Sequence, residues 1–267
     1  MVRLFSFLNT IYRNRYLIRS YAVSDLRKRY TGSMMGLLWS FIHPLMLIFT
    51  YYFIFSYVFS RKVTADYGTN SYALWLMCGI VPWMYFSETI RRSAQAVLDN
   101  RTLITKTLFP SEILPITLIA SSIVNHAVGL LIILVVDVAV MGRLTPFILF
   151  LPVYFFLMSV LILGIGWILS SLNVFVRDVG QAVTIVVNLW FYYTPIFYPV
   201  GIVPDKYRFI MELNPVYHIV EGYRDSLITA KYPEPSHLLY LAAFSGLAFA
   251  VGGLMFKRLK PAFADVL

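Results

Sequence analysis

Residues 29–36 decide the fold, and they read Arg-Tyr-Thr-Gly-Ser-Met-Met-Gly. A basic cluster at residues 27–29 ends here, and no further charged side chain follows until Arg61. An apolar, uncharged run of this length can cross a bilayer as a helix. Because Lys and Arg are retained on the cytoplasmic side of membrane helices, the cluster predicts that the run begins at the inner face of the membrane.

Two glycines near the start of this run, Gly32 and Gly36, are four residues apart. Small residues at this spacing let two helix backbones approach closely in lipid. The sequence therefore predicts a helix contact at the start of the first span. Taken singly, the basic cluster and the glycines are equally consistent with a simple membrane anchor.

The composition of the chain is that of a membrane protein. Of its 267 residues 59% are hydrophobic and only 13% are charged, and the mean hydropathy is +0.73. An ordinary soluble domain is less apolar. Long stretches without charge, each able to cross a hydrocarbon core of roughly 30 Å, predict an all-α protein with six transmembrane helices. These stretches are residues 30–60, 67–87, 113–136, 144–176, 179–204 and 235–256. The helix of the second span is expected to continue into the cytoplasm through Arg91 and Arg92, and the glycines at 164 and 166 predict a close-packing point in the fourth span.

The distribution of Lys and Arg predicts the orientation. With both termini in the cytoplasm, 15 of the 22 Lys and Arg residues lie on the inner side, as the positive-inside rule requires. We therefore expect a multi-pass protein of a cytoplasmic membrane with both termini inside. The net charge of +9 is explained by this topology and by contact with anionic lipids, so no nucleic acid partner is expected.

The motifs of several enzyme classes are absent from the sequence. No Gly-x-x-x-x-Gly-Lys-Ser/Thr segment for nucleotide binding occurs, and Cys78 is the only cysteine. The four histidines are far apart and show no metal-ligand spacing, so no metal site is predicted. Because charged groups are nearly absent from the spans, ion-coupled transport is not favoured either. The chain is predicted not to be an enzyme, and transport is either passive or driven by a partner.

Two amphipathic segments flank the first two spans. Residues 1–29 combine apolar side chains at helical spacing with many arginines, which predicts a helix on the inner leaflet; a disordered basic tail is the alternative. Residues 99–112 place Leu103, Ile104, Leu108 and Phe109 among polar neighbours. They predict a short helix that docks on a partner, or one that lies on the lipid surface.

Aromatic residues are concentrated at the outer ends of the first and fifth spans. Such blocks either form an interfacial belt or line a pathway, where rings contact sugar faces. The candidate pathway residues are Tyr51, Tyr52, Phe55, Tyr57, Phe59, Trp190, Tyr192 and Tyr193. Pro195 and Pro199 then predict a broken helix, and residues 200–234 are predicted to form short helices that re-enter the outer leaflet.

The longer string Arg29-Tyr-x-Gly-Ser-x-x-Gly-x-x-Trp-Ser-x-x-x-Pro44 resembles the first-span motif of type-2 ABC exporter permeases, in the branch that exports O-antigen, capsule and teichoic acid. Residues 100–110, 173–179, 194–199 and 214–224 are similar to later segments of that family in the same order. The resemblance implies a permease domain at 30–258, a coupling helix at 99–112 and a cytoplasmic tail at 259–267.

The resemblance also implies partners. These are a second copy of the chain, two separate ATPase subunits that bind ATP and Mg, and a lipid-linked polysaccharide; no cofactor is implied in this chain itself. Contact with the ATPase is expected at Asn100, Arg101, Leu103, Ile104, Leu108, Phe109, Arg177 and Asp178. A polyprenyl pyrophosphate is expected at Arg27, Lys28, Arg29, Arg91 and Arg92, unless these residues serve only to set the topology. A permease for a drug or small lipid, and a passive channel without an ATPase, stay open as alternatives.

Overall fold

The computed structural model describes residues 12–54, 57, 69, 71–107 and 109–267, without the side chains of Tyr30 and Leu37. Four predicted features, namely Phe55, Phe59, Leu108 and residues 1–11, lie outside the described residues. The α-helices of the described part are α1 Arg15–Tyr30, α2 Trp39–Phe53, α3 Tyr72–Asp99, α4 Arg101–Lys106, α5 Ile113–Met141, α6 Leu151–Phe175, α7 Val179–Tyr193, α8 Asp205–Glu212, α9 Pro215–Arg224, α10 Pro235–Leu259 and α11 Phe263–Val266.

Within the described residues, four helical segments are long and apolar enough to cross a membrane: Tyr72–Lys106, Ile113–Met141, Pro146–Phe175 and Pro235–Val266. They coincide with the second, third, fourth and sixth predicted spans. The first and fifth spans correspond to α2 and α7, of 15 residues each. α7 at that length measures about 22 Å, less than the roughly 30 Å of a hydrocarbon core, whereas α2 runs on into Ile54 and then borders residues outside the described part. The multi-pass helical class is confirmed, and the count of six stays a prediction.

The first span does not begin as the glycine spacing predicts. α1 ends at Tyr30, and both Gly32 and Gly36 lie in the break before α2, with φ angles of +82° and +50°. Among the described residues, apart from the chain neighbours of each glycine, no atom lies within 4 Å of the position that a Cβ would take at either glycine. The predicted helix contact is therefore wrong. These glycines are needed because left-handed backbone is strained for other residues, and they let the chain turn from α1 into α2.

α3 is the central helix, and it contacts α2, α5, α6, α7 and α9. It begins where the Ser71 hydroxyl accepts a hydrogen bond from the Leu74 amide at 3.3 Å. It continues past the predicted span through Arg91 and Arg92 to Asp99, as the sequence predicts. Most of its side chains are buried. α3 therefore supplies a wall to every site described below.

α6 and α10 form the closest helix pair of the bundle at Gly164 and Gly252. A Cβ built on Gly164 would lie 2.3 Å from the Ala248 carbonyl carbon, and one on Gly252 would lie 2.1 Å from the Gly164 carbonyl oxygen. Only glycine allows backbones this near each other. The predicted close-packing point at residues 164–166 is confirmed.

The segment after α7 is irregular, and two short helices follow it. α7 ends at Tyr193 before Pro195 and Pro199, so the predicted helix break is present. α9 begins at Pro215, where the Asn214 side chain accepts a hydrogen bond from the Val216 amide at 3.0 Å. α8 and α9 are the short helices predicted for residues 200–234, while their re-entry into the membrane stays a prediction.

Candidate substrate cavity and coupling surface

An open cavity of about 590 Å³ lies between α2, α3, α5 and α7. One part of its lining is aromatic and the other is polar or charged. The aromatic part is Tyr51, Trp83, Phe191 and Tyr192, and the polar part includes His43, Ser87, Glu88, Arg91, Arg92, Asn125 and Asn188. A site of this kind can hold a ligand that has an apolar face and an anionic group.

Phe191 is the centre of the aromatic wall. Its ring centroid lies 5.7 Å from that of Tyr51, 5.5 Å from Trp83 and 5.5 Å from Tyr192. These separations are typical of tilted and edge-to-face ring pairs. The two predicted aromatic blocks therefore meet through Phe191, although they lie about 140 residues apart in the sequence.

The other candidate pathway residues have different neighbours. Trp190 donates its indole N–H to the Asn214 side chain at 2.9 Å and packs edge-on against Phe86. It therefore connects α7 to the start of α9 instead of lining the cavity. Tyr193 is exposed, and the ring of Tyr52 contacts that of Tyr57 with centroids 6.0 Å apart. The structure thus brings Tyr51 and Tyr192 to the cavity and leaves Trp190 out of it.

Arg91 joins this cavity to a second one. It lines both the aromatic cavity and a space of about 500 Å³ beside α1, as Arg92 also does, and Lys28 lines the second space. Its guanidinium donates one hydrogen bond, of 3.1 Å, to the side-chain oxygen of Asn188. Glu88 also lines the first cavity. Arg91 is therefore positioned to bind an anion from either space.

Two other members of the predicted basic site form ion pairs within the chain. Arg29 pairs with Glu88 at 2.6 Å and with Asp25 at 3.4 Å, and it donates to the Ser122 hydroxyl at 2.9 Å. Arg92 pairs with the other oxygen of Asp25 at 2.5 Å. These bonds connect α1 to α3 and α5. Arg27 and Lys28 are exposed, so the five predicted cations are not equivalent.

The predicted coupling segment contains the short helix α4 between Asn100 and Thr107. Its Arg101, Thr102, Thr105 and Lys106 are exposed, whereas Leu103 and Ile104 are half-buried. Ile104 packs on a buried apolar cluster of its own chain. Phe109 contacts Tyr21 of α1, with ring centroids 5.2 Å apart. Ile104 and Phe109, which the sequence assigned to a partner contact, therefore also pack within the chain itself.

The second predicted coupling element, Arg177 and Asp178, is the exposed turn between α6 and α7. Asn173 fixes this turn because its side chain donates to the Ala94 carbonyl at 2.8 Å and accepts from the Gly180 amide at 3.0 Å. Those bonds place the turn beside the end of α3, from which α4 continues. Both predicted coupling elements thus lie at one end of the bundle.

Comparison with known proteins agrees with this architecture. The family described as ABC-2 type transporter matches residues 16–228, which include every helix that lines the cavity. The chain belongs to the ABC-2 type transporter family. The family predicted from residues 29–44 is thereby confirmed.

Relatives of this ABC-2 chain are similar over almost their whole length. The O-antigen export system permease protein RfbA of Myxococcus xanthus is 27% identical over 99% of both chains. The protein of the same name from Klebsiella pneumoniae is 32% identical over 91% of this chain and 92% of its own. The polysialic acid transport protein KpsM of Escherichia coli is 24% identical over 89% and 91%. These relatives are named as export permeases or transport proteins.

Several lining residues of this ABC-2 chain escaped the sequence argument, among them Trp83, Phe191 and Asn188. Trp83, Ser87 and Arg91 are four residues apart along α3, a spacing that places side chains on one helix face. That spacing was a signal for a shared face of α3. No pattern in the sequence connects Asn188 of α7 to Arg91, because that contact spans 97 positions.

Proposed function

We propose that this chain is the permease subunit of an ABC exporter that moves a lipid-linked polysaccharide, such as O-antigen, capsule or teichoic acid, across the bacterial cytoplasmic membrane. The similarity to an O-antigen export permease over 99% of both chains carries the proposal. In this proposal two copies of the chain assemble with two ATPase subunits, which bind the ATP and Mg. Both termini lie in the cytoplasm.

The cavity supports a polysaccharide better than a small apolar cargo. The rings of Tyr51, Phe191 and Tyr192 present flat surfaces for the apolar faces of sugar rings, and tyrosine hydroxyls exchange hydrogen bonds with sugar hydroxyls. Charged side chains on this wall would bind the polymer tightly and slow its movement. The aromatic part of the lining carries no charged side chain. Weak, repeated contacts of this kind let a chain of sugars move.

Arg91 is the residue that best suits the pyrophosphate of a lipid carrier. Its planar guanidinium can donate two parallel hydrogen bonds to phosphate oxygens. It lines both cavities, so a headgroup arriving beside α1 reaches it before the sugars reach the aromatic wall. Arg29 and Arg92 support the same site indirectly, because their ion pairs fix α1 against α3 and α5. Lys28 adds a second cation to the space beside α1, where the headgroup would enter.

The test is transport by the reconstituted complex. The chain is purified with its ATPase subunit, placed in proteoliposomes and supplied with a lipid-linked polysaccharide. We expect the polymer to reach the opposite side only when ATP is hydrolysed. Movement of polymer without ATP would instead indicate a passive channel. ATP-driven movement of a short-chain lipid or drug, but not of polymer, would contradict the proposed substrate class.

A further inference from the structure

The C-terminal residues 260–267 are attached to the bundle through one fully buried side chain, Phe263, while Pro261, Ala264, Asp265 and Val266 are exposed. A 3-10 turn at Lys260–Ala262 leads into α11, which begins at Phe263. Phe263 is fully buried, in a cluster with Val97, Trp167, Val174 and Phe256. We call this group the Phe263 cluster. It lies beside the main core of the bundle, with Leu163 packed against both, near the ends of α3 and α10 and along the second half of α6.

The Phe263 cluster supports the coupling helix. Ile104 of α4 packs on it, and α4 contacts α11 directly. α4 presents Arg101, Thr102, Thr105 and Lys106 outward, so its inner contact is made through its half-buried apolar side chains. The support beneath α4 therefore includes Phe263, which lies more than 150 positions from Ile104 in the sequence.

Polar contacts fix the segment at residue 260. The Lys260 ammonium pairs with the Glu112 carboxylate at 2.5 Å, and the side chain of Glu112 is only 7% exposed. The Trp167 indole N–H donates to the Glu112 carbonyl at 3.0 Å. The start of α5, the middle of α6 and the 260–267 segment are thus connected through Glu112. Phe256 meets Phe263 edge-on, with ring centroids 5.3 Å apart, and connects α10 to the same point.

We propose that Phe263 is a positioning residue for coupling, since it seats α4 and transmits displacement of α4 to α6 and α10. This inference rests on the proposed function, in which an ATPase subunit presses on the exposed face of α4. Close-packed side chains compress little, so a displacement of Ile104 moves the cluster as a whole. α6 and α10 then move together, because no space separates them at Gly164 and Gly252.

The first experiment measures polymer exported per ATP hydrolysed in the reconstituted complex. Phe263→Ala and Ile104→Ala are each expected to lower this ratio by about fivefold or more, while ATP hydrolysis continues. The double variant is expected to be no worse than the more severe single one, because both remove the same contact. Val266→Ala is the matched control, since Val266 is exposed on the same helix. A role in stability alone would lower the amount of complex but not the ratio.

The second experiment is independent of transport. A spin label at Thr102→Cys reports the mobility of α4, and Cys78 stays unlabelled because it is fully buried. We expect the label to become more mobile with Phe263→Ala and to recover with Phe263→Leu, which restores most of the apolar volume.

The outcomes separate the two proposals. Unchanged export per ATP in Phe263→Ala, or additive losses in the double variant, would overturn the seating role. If Phe263→Ala does not assemble, Ile104→Ala decides, and a wild-type export ratio together with wild-type label mobility in that variant would overturn the seating role too. Failure of the wild-type complex to export polymer would contradict the proposed function instead. In that case the label still tests the seating role, and a Thr102→Cys label that is no more mobile in Phe263→Ala than in the wild-type chain would overturn it.

Discussion

Arg91 and Arg224 show how differently one residue type is used in two regions of the molecule. Arg224 is only 3% exposed, and its guanidinium lies 3.5 Å from the centroid of the Trp75 ring. It pairs with Glu221 at 2.6 Å and donates to the Ile196 carbonyl at 2.9 Å. Arg91 faces two open cavities and donates to an amide oxygen of Asn188.

The difference lies in what surrounds each charge. Arg224 connects α9 to α3 and to the irregular segment that follows α7. Its charge is therefore satisfied by partners within the fold. Trp75 and Trp83 show the same contrast on α3, since Trp75 stacks on Arg224 whereas Trp83 lines the cavity. A buried, paired arginine stabilises the fold, and a partly open arginine beside free volume is available to bind a ligand.

The largest expected effect follows from removing the buried arginine. Arg224→Met loses the stacking on Trp75 and leaves the Ile196 carbonyl without its donor, and together these changes cost about 3 kcal/mol. We expect a fall of that size in the free energy of unfolding, measured by denaturation in detergent. Arg208→Met is the control. Its ion pair with Asp205 is largely exposed, and its hydrogen bonds to the Val203 and Gly201 carbonyls lie near the surface, so its loss should cost about 1 kcal/mol or less. Equal effects of both variants would contradict the assigned difference.

A smaller effect, on transport alone, is expected from the open arginine. Arg91→Lys keeps the charge but loses the planar pair of donors, so export should fall about tenfold, equivalent to about 1.4 kcal/mol of binding. The free energy of unfolding should not change. Arg19→Lys, at an exposed position on α1, serves as control. Full export by Arg91→Lys would remove Arg91 as the pyrophosphate ligand.

The smallest effect is expected from single cysteine substitutions, which test which aromatic residues face water. Single Tyr51→Cys and Tyr192→Cys variants should react with a water-soluble thiol reagent and lose reactivity when polymer is engaged. The half-buried Trp190, bonded to Asn214, should stay unreactive as Trp190→Cys. The native Cys78 gives the background, which should be near zero. Absence of labelling at both Tyr51 and Tyr192 would mean that these rings face lipid.

The sequence by itself determined the class of protein and the position of its helices. Charge-free runs and proline positions depend on local chemistry, so they predicted α3 continuing past Arg92, the break at Pro195 and the close approach at Gly164. The spacing of Gly32 and Gly36 was misleading because the same residue type serves both helix contact and left-handed turns. Only a φ angle distinguishes these two uses.

The tertiary structure alone decided which side chains face open space and which are paired. Helical spacing gives the face of a helix but not what lies opposite it. Arg29 and Arg91 both belong to the basic site predicted from the sequence. In the structure Glu88 and Asp25 form ion pairs with Arg29, whereas Arg91 lines a cavity. In the same way Ile104 has an apolar seat because α3, α6, α10 and Phe263 together form a buried cluster beneath it. Such partners are far apart along the chain, and packing of whole helices determines which of them meet.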